Sequence, residues 1–216
     1  MELQGKKVVF LGDSITEGSG TSDIEHRYTN VFAKLAGCEI FVDGIGGTRF
    51  AKQTRTSKDA RHDLYFIGRV DALPKEADIV VVFGGTNDFG HGDAPFGTFE
   101  DRTENTFCGA AHTLCRKLIE KYPTSIIVFM TPLHRTTEAV TVNEIGLPCQ
   151  PLKKYVEAIR EVCEYYSIPV LDLYKVSGMQ PQVEIIKTTY MPDGLHPNNA
   201  GAEKVAKLLK GFLLSL

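Results

Sequence analysis

Four short blocks in this chain carry residue types that chemistry needs. Gly12-Asp13-Ser14 places a hydroxyl directly behind an apolar run, Lys7-Val8-Val9-Phe10-Leu11. Asp43-Gly44-Ile45-Gly46-Gly47-Thr48 offers backbone N–H groups with no Cβ beside them, and Gly84-Gly85-Thr86-Asn87-Asp88 offers a side-chain amide. Asp193-Gly194-Leu195-His196-Pro197 sets a carboxylate three residues before an imidazole, close enough to reach its Nδ1 within a single turn. Each block alone has a structural reading. Ser14 suits a helix N-cap, and the glycines suit a turn that needs positive φ. Gly-Thr-Asn-Asp suits an Asx-type turn, and Asp193 with His196 suits a cap on the last helix. Together they fill a different set of roles: nucleophile, base, an acid that holds the base in one tautomer, and donors for an oxyanion. Acyl transfer from an ester to water through serine requires that set. It assigns Ser14 as nucleophile, His196 as base and Asp193 as orienting acid. The Ser14 and Gly47 N–H groups and the Asn87 side chain would hold the oxyanion.

Such residues must be carried to one place, and the pattern of elements says how. Residues 7–11, 39–42, 78–83, 125–130 and 169–173 read as strands. The clearest, Asp78-Ile79-Val80-Val81-Val82-Phe83 and Ser125-Ile126-Ile127-Val128-Phe129-Met130, run apolar without alternation, as strands of a parallel sheet covered on both faces should. Helical spacing falls between them. Phe107, Ala111, Leu114 and Leu118 form one stripe, Leu152, Tyr155, Ile159, Val162 and Tyr166 a second, and Val205, Leu208 and Phe212 a third. A short helix over about 30–36 ends at Gly37. Alternating strands and helices predict βαβ units and a three-layer α/β/α sandwich around a five-stranded parallel sheet. In such folds ligands bind outside the carboxyl ends of the strands, where Ser14, Gly47 and Asn87 all fall. Residues 48–72, polar and basic, and 132–150, with Pro132, Gly146 and Pro148, break the alternation and are expected to wall the site.

Bulk properties narrow the classes. At 216 residues the chain is read as one domain spanning 1–216, 43% apolar and 24% charged. A net charge of −3 gives no footprint for nucleic acid or anionic membrane, and no apolar stretch approaches the ~20 residues of a membrane span. The five cysteines lack a C-x-x-C pair and are read as reduced thiols, with Cys108, Cys115 and Cys163 on apolar helix faces. With no signal-peptide pattern at the start, the expected location is cytoplasmic.

The four blocks, in this order and spread over nearly the whole chain, resemble the SGNH hydrolases, or GDSL-like esterases and lipases. The resemblance rests on Gly12-Asp13-Ser14 with Ile15-Thr16-Glu17-Gly18, on Gly47, on Gly85-Thr86-Asn87-Asp88 and on Asp193-x-x-His196-Pro197. It implies a flavodoxin-like fold, with Ser14, His196 and Asp193 as the triad and Ser14, Gly47 and Asn87 as the oxyanion hole. No metal or other cofactor is expected. One departure stands out: many members begin the second block with Asn where this chain has Val42, so the choice of Gly47 over Gly46 rests on alignment.

Other residues are assigned supporting parts. Asp13 and Asp88 are read as braces, and Glu17 as first-turn helix charge. His91 and Asp93 alone do not make a metal site. Phe89, His91, His134 and Arg135 follow strands and are candidates to line the pocket. The polar segments at 19–28 and 48–72 suit a hydroxyl-rich alcohol and a small acyl group. The expected reaction is therefore hydrolysis of short-chain esters, acetyl above all, on carbohydrates, as in the bacterial carbohydrate acetylesterases of that family. The alternatives are a lipase, lysophospholipase or thioesterase of the same family, or a binding module that has lost turnover. A nucleotide-binding protein is disfavoured, because Gly12–Gly18 lacks the Lys and spacing of a phosphate loop.

Overall fold

Apolar runs without polar alternation have to be covered on both sides, and the sheet shows that cover. The computed structural model describes residues 2–216. Strands β1 (Lys7–Gly12), β2 (Glu39–Gly44), β3 (Ile79–Phe83), β4 (Ile126–Met130) and β5 (Val170–Leu171) form one sheet in the order β2-β1-β3-β4-β5, with every pairing parallel. All five residues of β3 are buried. Its alternate side chains serve opposite faces, since successive residues of a strand point to opposite sides.

The helices are α1 (Ser14–Glu17), α2 (Tyr28–Ala36), α3 (Phe66–Arg69), α4 (Thr86–His91) and α5 (Phe107–Lys121), then α6 (Leu152–Tyr165), α7 (Leu173–Val176), α8 (Glu184–Tyr190) and α9 (Asn199–Ser215). On one face Val9, Leu11, Val80, Val82 and Phe129 pack with Phe66 of α3, Leu114 and Leu118 of α5 and Ile159 of α6. On the other, Phe10, Val81, Val128 and Met130 pack with Phe32 of α2 and Val205, Leu209 and Leu213 of α9. Each fully buried side chain of this kind contributes about 1.5–3 kcal/mol of transfer free energy. The result is the expected three-layer α/β/α fold. No helix among the described residues is long and apolar enough to cross a membrane.

Because β1 lies between β2 and β3, the chain leaves it in both directions, and a crevice opens above the carboxyl ends of β1 and β3. One element differs from expectation. The last strand pairs only at Val170 and Leu171, because Asp172 turns the chain into α7 by accepting the Lys175 N–H. The segment 48–72, which breaks the alternation, carries three short helical pieces: α3 and, on either side of it, 3-10 turns at Ala60–Asp63 and Val70–Ala72. All five cysteines are unpaired, and Cys108, Cys115 and Cys163 are buried.

Candidate active site

Ser14 is the first residue of α1, immediately past the end of β1. Asp13, not Ser14, caps that helix, its Oδ1 accepting the Ile15 N–H at 3.0 Å. The Ser14 hydroxyl is thereby free for other work, and its Oγ lies 2.9 Å from His196 Nε2. His196 sits in a tight turn built by Asp193. One carboxylate oxygen accepts the Leu195 and His196 N–H groups at 2.9 and 2.7 Å, and the other lies 2.6 Å from His196 Nδ1. A carboxylate only accepts, so Nδ1 carries the proton and Nε2 is left to accept from the Ser14 hydroxyl. Burial alone would raise the Asp193 pKa. The hydrogen bonds from the His196 ring and from the His196 and Leu195 backbone outweigh it and hold the carboxyl below its ordinary value.

The loop after α1 fixes this turn from behind. Gly20, at φ +92°, runs so close that a Cβ there would lie 2.6 Å from the Pro197 carbonyl oxygen and 2.9 Å from His196 Cβ. Ser22 and Asn199 exchange two hydrogen bonds, Ser22 N–H to Oδ1 and Asn199 Nδ2 to the Ser22 Oγ, each at 2.9 Å. The polar segment that the sequence suggested as substrate surroundings is in part a clasp on the His196 turn.

The opposite wall comes from the second and third blocks. Gly46 is unavailable as a donor to ligand, since its N–H is taken by Glu17 Oε2 at 2.7 Å. The N–H of Gly47 engages no acceptor among the described residues, and neither does that of Ser14. Gly47 adopts φ +74°, and a Cβ there would run into the His62 ring at 2.3 Å. Asn87 donates one amide hydrogen to Thr48 O at 3.0 Å and accepts at Oδ1 from His91 Nε2 at 3.2 Å, which leaves its second hydrogen uncommitted. Ser14, Gly47, Asn87, His91 and His196 line one cleft of about 370 Å³. A larger cavity of about 500 Å³ adjoins it along His62 and His91 and does not include Ser14.

Three buried cations that the composition of 48–72 and 132–150 could not reveal hold this wall. Arg69 donates to Asp43 O (3.0 Å), Gly12 O (2.9 Å) and Thr48 Oγ1 (3.1 Å) and pairs with the Asp43 carboxylate at 3.1 Å. It thus ties the ends of β1 and β2 to the Gly47 loop, and Asp43 enters the site's support through it. Arg49 reaches His91 Nδ1 (2.9 Å), Ser57 Oγ (3.0 Å) and the Asp63 carboxylate (3.3 Å). Arg135 pairs with Glu144.

Asp88 accepts the Phe50 and Ala51 N–H groups, one on each carboxylate oxygen, at 2.9 and 3.0 Å. Asp13 and Asp88 are both fully buried, which pushes their carboxyls up to about 7 and about 6. Glu17 does more than charge a helix end, since it also pairs with Arg61.

Two proposed pocket residues lie elsewhere. Phe89 is 1% exposed and belongs to the core, edge-on to Tyr155 and beneath the Arg135 guanidinium. It follows α4 inward because the opposite face of that short helix, with Asn87 and His91, takes the cleft. His134 packs at a tilt against Tyr174, 3.7 Å between ring centroids, bonds Glu138 and Gln180, and does not line the cleft that holds Ser14. Arg135 and His91 do line the cleft. Asp93 is occupied by the Thr54 and Arg55 backbone N–H groups, and no group of three or more metal-ligating side chains occurs among the described residues.

Comparison with known proteins adds independent findings. The model of the GDSL-like Lipase/Acylhydrolase family matches residues 10–204. A solved structure 32% identical covers 100% of this chain and 99% of its own, with a TM-score of 0.86. A protein from Lactobacillus plantarum, 30% identical, covers 98% of both chains with a TM-score of 0.83. A two-domain esterase active on acetylated mannans, 21% identical, shares the fold over 98% of this chain and 49% of its own, with a TM-score of 0.63. No curated protein matches the sequence significantly.

Proposed function

Starting from the fact that this chain belongs to the GDSL-like lipase/acylhydrolase family and is an ester hydrolase, we propose that it works through a Ser14–His196–Asp193 triad on short acyl esters of hydroxyl-rich alcohols. The observation that carries the triad is the unbroken run from Ser14 Oγ to His196 Nε2 at 2.9 Å and from Nδ1 to Asp193 at 2.6 Å. His196 takes the Ser14 proton as Oγ attacks the ester carbonyl. The uncommitted N–H groups of Ser14 and Gly47 and the free Asn87 hydrogen hold the oxyanion. His196 then protonates the departing alcohol, and the same base activates water to release the acid from the acyl-enzyme.

The cleft supports the substrate class. Its lining includes Glu17, Ser19, Arg61, Asn87, Arg135 and Glu144, with Leu195 as its large apolar side chain. Such a wall offers hydrogen bonds to hydroxyls and little apolar surface to a long acyl chain. The mannan-active neighbour, remote in sequence, points the same way.

Ser14→Ala should lower p-nitrophenyl acetate hydrolysis at least about 10⁴-fold while leaving the thermal midpoint within a few degrees. Undiminished turnover would sink the mechanism. A preference for decanoate over acetate in the wild-type enzyme would sink the substrate class and leave the triad standing.

A further inference from the structure

The His91 imidazole faces the cleft, yet both its nitrogens are already engaged within the protein. Arg49 Nη1 lies 2.9 Å from Nδ1, and Asn87 Oδ1 lies 3.2 Å from Nε2. A guanidinium only donates, so Nδ1 must be the acceptor and the single ring proton must sit on Nε2. From there it donates to Asn87 Oδ1, which settles the orientation of the Asn87 amide. The NH₂ end then faces Thr48 O at 3.0 Å with its second hydrogen toward the cleft. The flipped amide would set its NH₂ against the Nε2–H and its oxygen against a carbonyl, losing both bonds.

Asn87 and His91 stand four apart on α4, the spacing that brings two side chains together on one helix face. Arg49 is itself 3% exposed and anchored by Ser57, the His62 carbonyl and Asp63. We propose that His91 is a positioning residue: a neutral imidazole, locked in its Nε2–H tautomer by Arg49, that orients the Asn87 amide as an oxyanion donor. This deepens the esterase reading above and rests on Asn87 having that role.

The surroundings keep the ring neutral. Burial, then the nearby charge of Arg49, and then His62 and Arg135, push the His91 pKa down to about 4. The acids in the neighbourhood are otherwise committed: Asp63 to Ser57 and Arg49, Asp93 to the Thr54–Arg55 backbone, Asp88 to the Phe50–Ala51 backbone and Glu144 to Arg135.

The chain of contacts has a signature that a merely structural residue would not give. His91→Ala should lower kcat for p-nitrophenyl acetate by about 10- to 100-fold with KM within about threefold, part of the 10²–10³ that losing an oxyanion donor outright costs. His91→Gln, which keeps a donor near the Nε2 position, should recover most of that loss. In an Asn87→Ala background His91→Ala should cost no more than about twofold further, because there is no amide left to orient.

Long-range ¹H–¹⁵N spectra of the wild-type protein should show His91 protonated at Nε2, bare at Nδ1 and unchanged between pH 5 and 8. An equal loss in both backgrounds, or an Nδ1-protonated or charged ring at pH 7, overturns the proposal. The spectra decide it even if a variant fails to fold. Full activity in Asn87→Ala alone would instead remove the oxyanion role of Asn87, and this proposal with it.

Discussion

The two walls of the cleft are built over different distances along the chain. On the triad side, Asp193 makes three of its contacts within three residues, to Leu195 N, His196 N and His196 Nδ1, and the longer-range ties of that turn are few: Ser14 to His196, Ser22 to Asn199 and the Thr136 N–H to Gly194 O. On the oxyanion side no such local unit exists. Thr48 is tied to Asn87, Arg49 to His91, Arg69 to Gly12 and Asp88 to Phe50, each across several tens of residues. The exposures differ too: the Asp193 side chain is 53% exposed, whereas those of Arg49 and Arg69 are 3% and 8% exposed. A turn closed by one carboxylate on its own backbone tolerates solvent. A wall of glycine N–H groups has no side chains to hold it and needs buried cations to tie it to the sheet. Substitutions on the triad side should therefore change chemistry at nearly constant stability, and those on the oxyanion side should change both.

The largest effect tests the first half of that contrast. In Asp193→Asn the amide oxygen can still accept the two backbone N–H groups, so the turn should persist. An NH₂ facing Nδ1 would force the proton onto Nε2, leaving His196 unable to accept from Ser14. A fall in kcat of about 10⁴-fold is expected, as when the orienting acid of a serine protease is replaced in this way, with the urea midpoint nearly unmoved. A loss below about tenfold, or a large stability loss, would mean that the triad wall is not the self-contained unit its contacts describe.

Next in size is Arg69→Met on the other wall. It removes the donors to Gly12 O, Asp43 O and Thr48 Oγ1 and leaves the partly buried Asp43 carboxylate without its partner. Breaking one side of a buried ion pair costs about 3–5 kcal/mol, and the partial exposure of Asp43 places this case near the lower end. Urea unfolding should show that loss together with a reduced kcat, because the Gly47 loop hangs from the same guanidinium. Unchanged stability would break the contrast between the walls.

The same contrast explains what the sequence disclosed. Five apolar runs and the stripes between them suffice for the sheet and its layers, because continuous burial on both faces leaves a plain hydrophobic signature in Ile79–Phe83 and Ile126–Met130. Asp193-x-x-His196 was legible as a pair because its geometry is local. The preference for Gly47 over Gly46 came from alignment, and its physical support lies elsewhere: Glu17, 29 residues earlier, occupies the Gly46 N–H. Arg49 and Arg69 were read as part of a polar, basic segment, since nothing in composition separates a buried arginine bonded to carbonyls from one in water. Phe89 looked like a pocket residue from its place after a strand, but which side of a six-residue helix faces the core is a tertiary matter. The i,i+4 spacing of Asn87 and His91 was the one local signal available for their contact.

The smallest expected effect compares two acids, one on each wall. Asp13 accepts a single N–H, from Ile15, on one oxygen, whereas Asp88 accepts Phe50 N–H and Ala51 N–H on different oxygens. An asparagine can satisfy the first arrangement and only half of the second. Asp88→Asn should therefore cost about 1–3 kcal/mol, the penalty for a buried donor left facing a donor, while Asp13→Asn should cost little. Their pH behaviour separates them further. Burial raises both carboxyls, to about 7 for Asp13 and about 6 for Asp88, above the ~3.9 of an unfolded Asp. Between about pH 4 and those values each of the two carboxyls binds more protons in the native protein than in the unfolded chain, so this pair lowers stability as pH rises through that window, while His91 and His112, with lowered pKa values, raise it up to about pH 6.5. Asp13→Asn should flatten the upper part of the decline, between about pH 6 and 7, and raise stability at pH 8 relative to the wild type. Urea midpoints of wild type and both variants at pH 5 and 8 measure this directly. If the midpoint changes between pH 5 and 8 by the same amount in Asp13→Asn as in the wild type, Asp13 is ionised in the fold and its buried charge is balanced by Arg69 rather than by a retained proton.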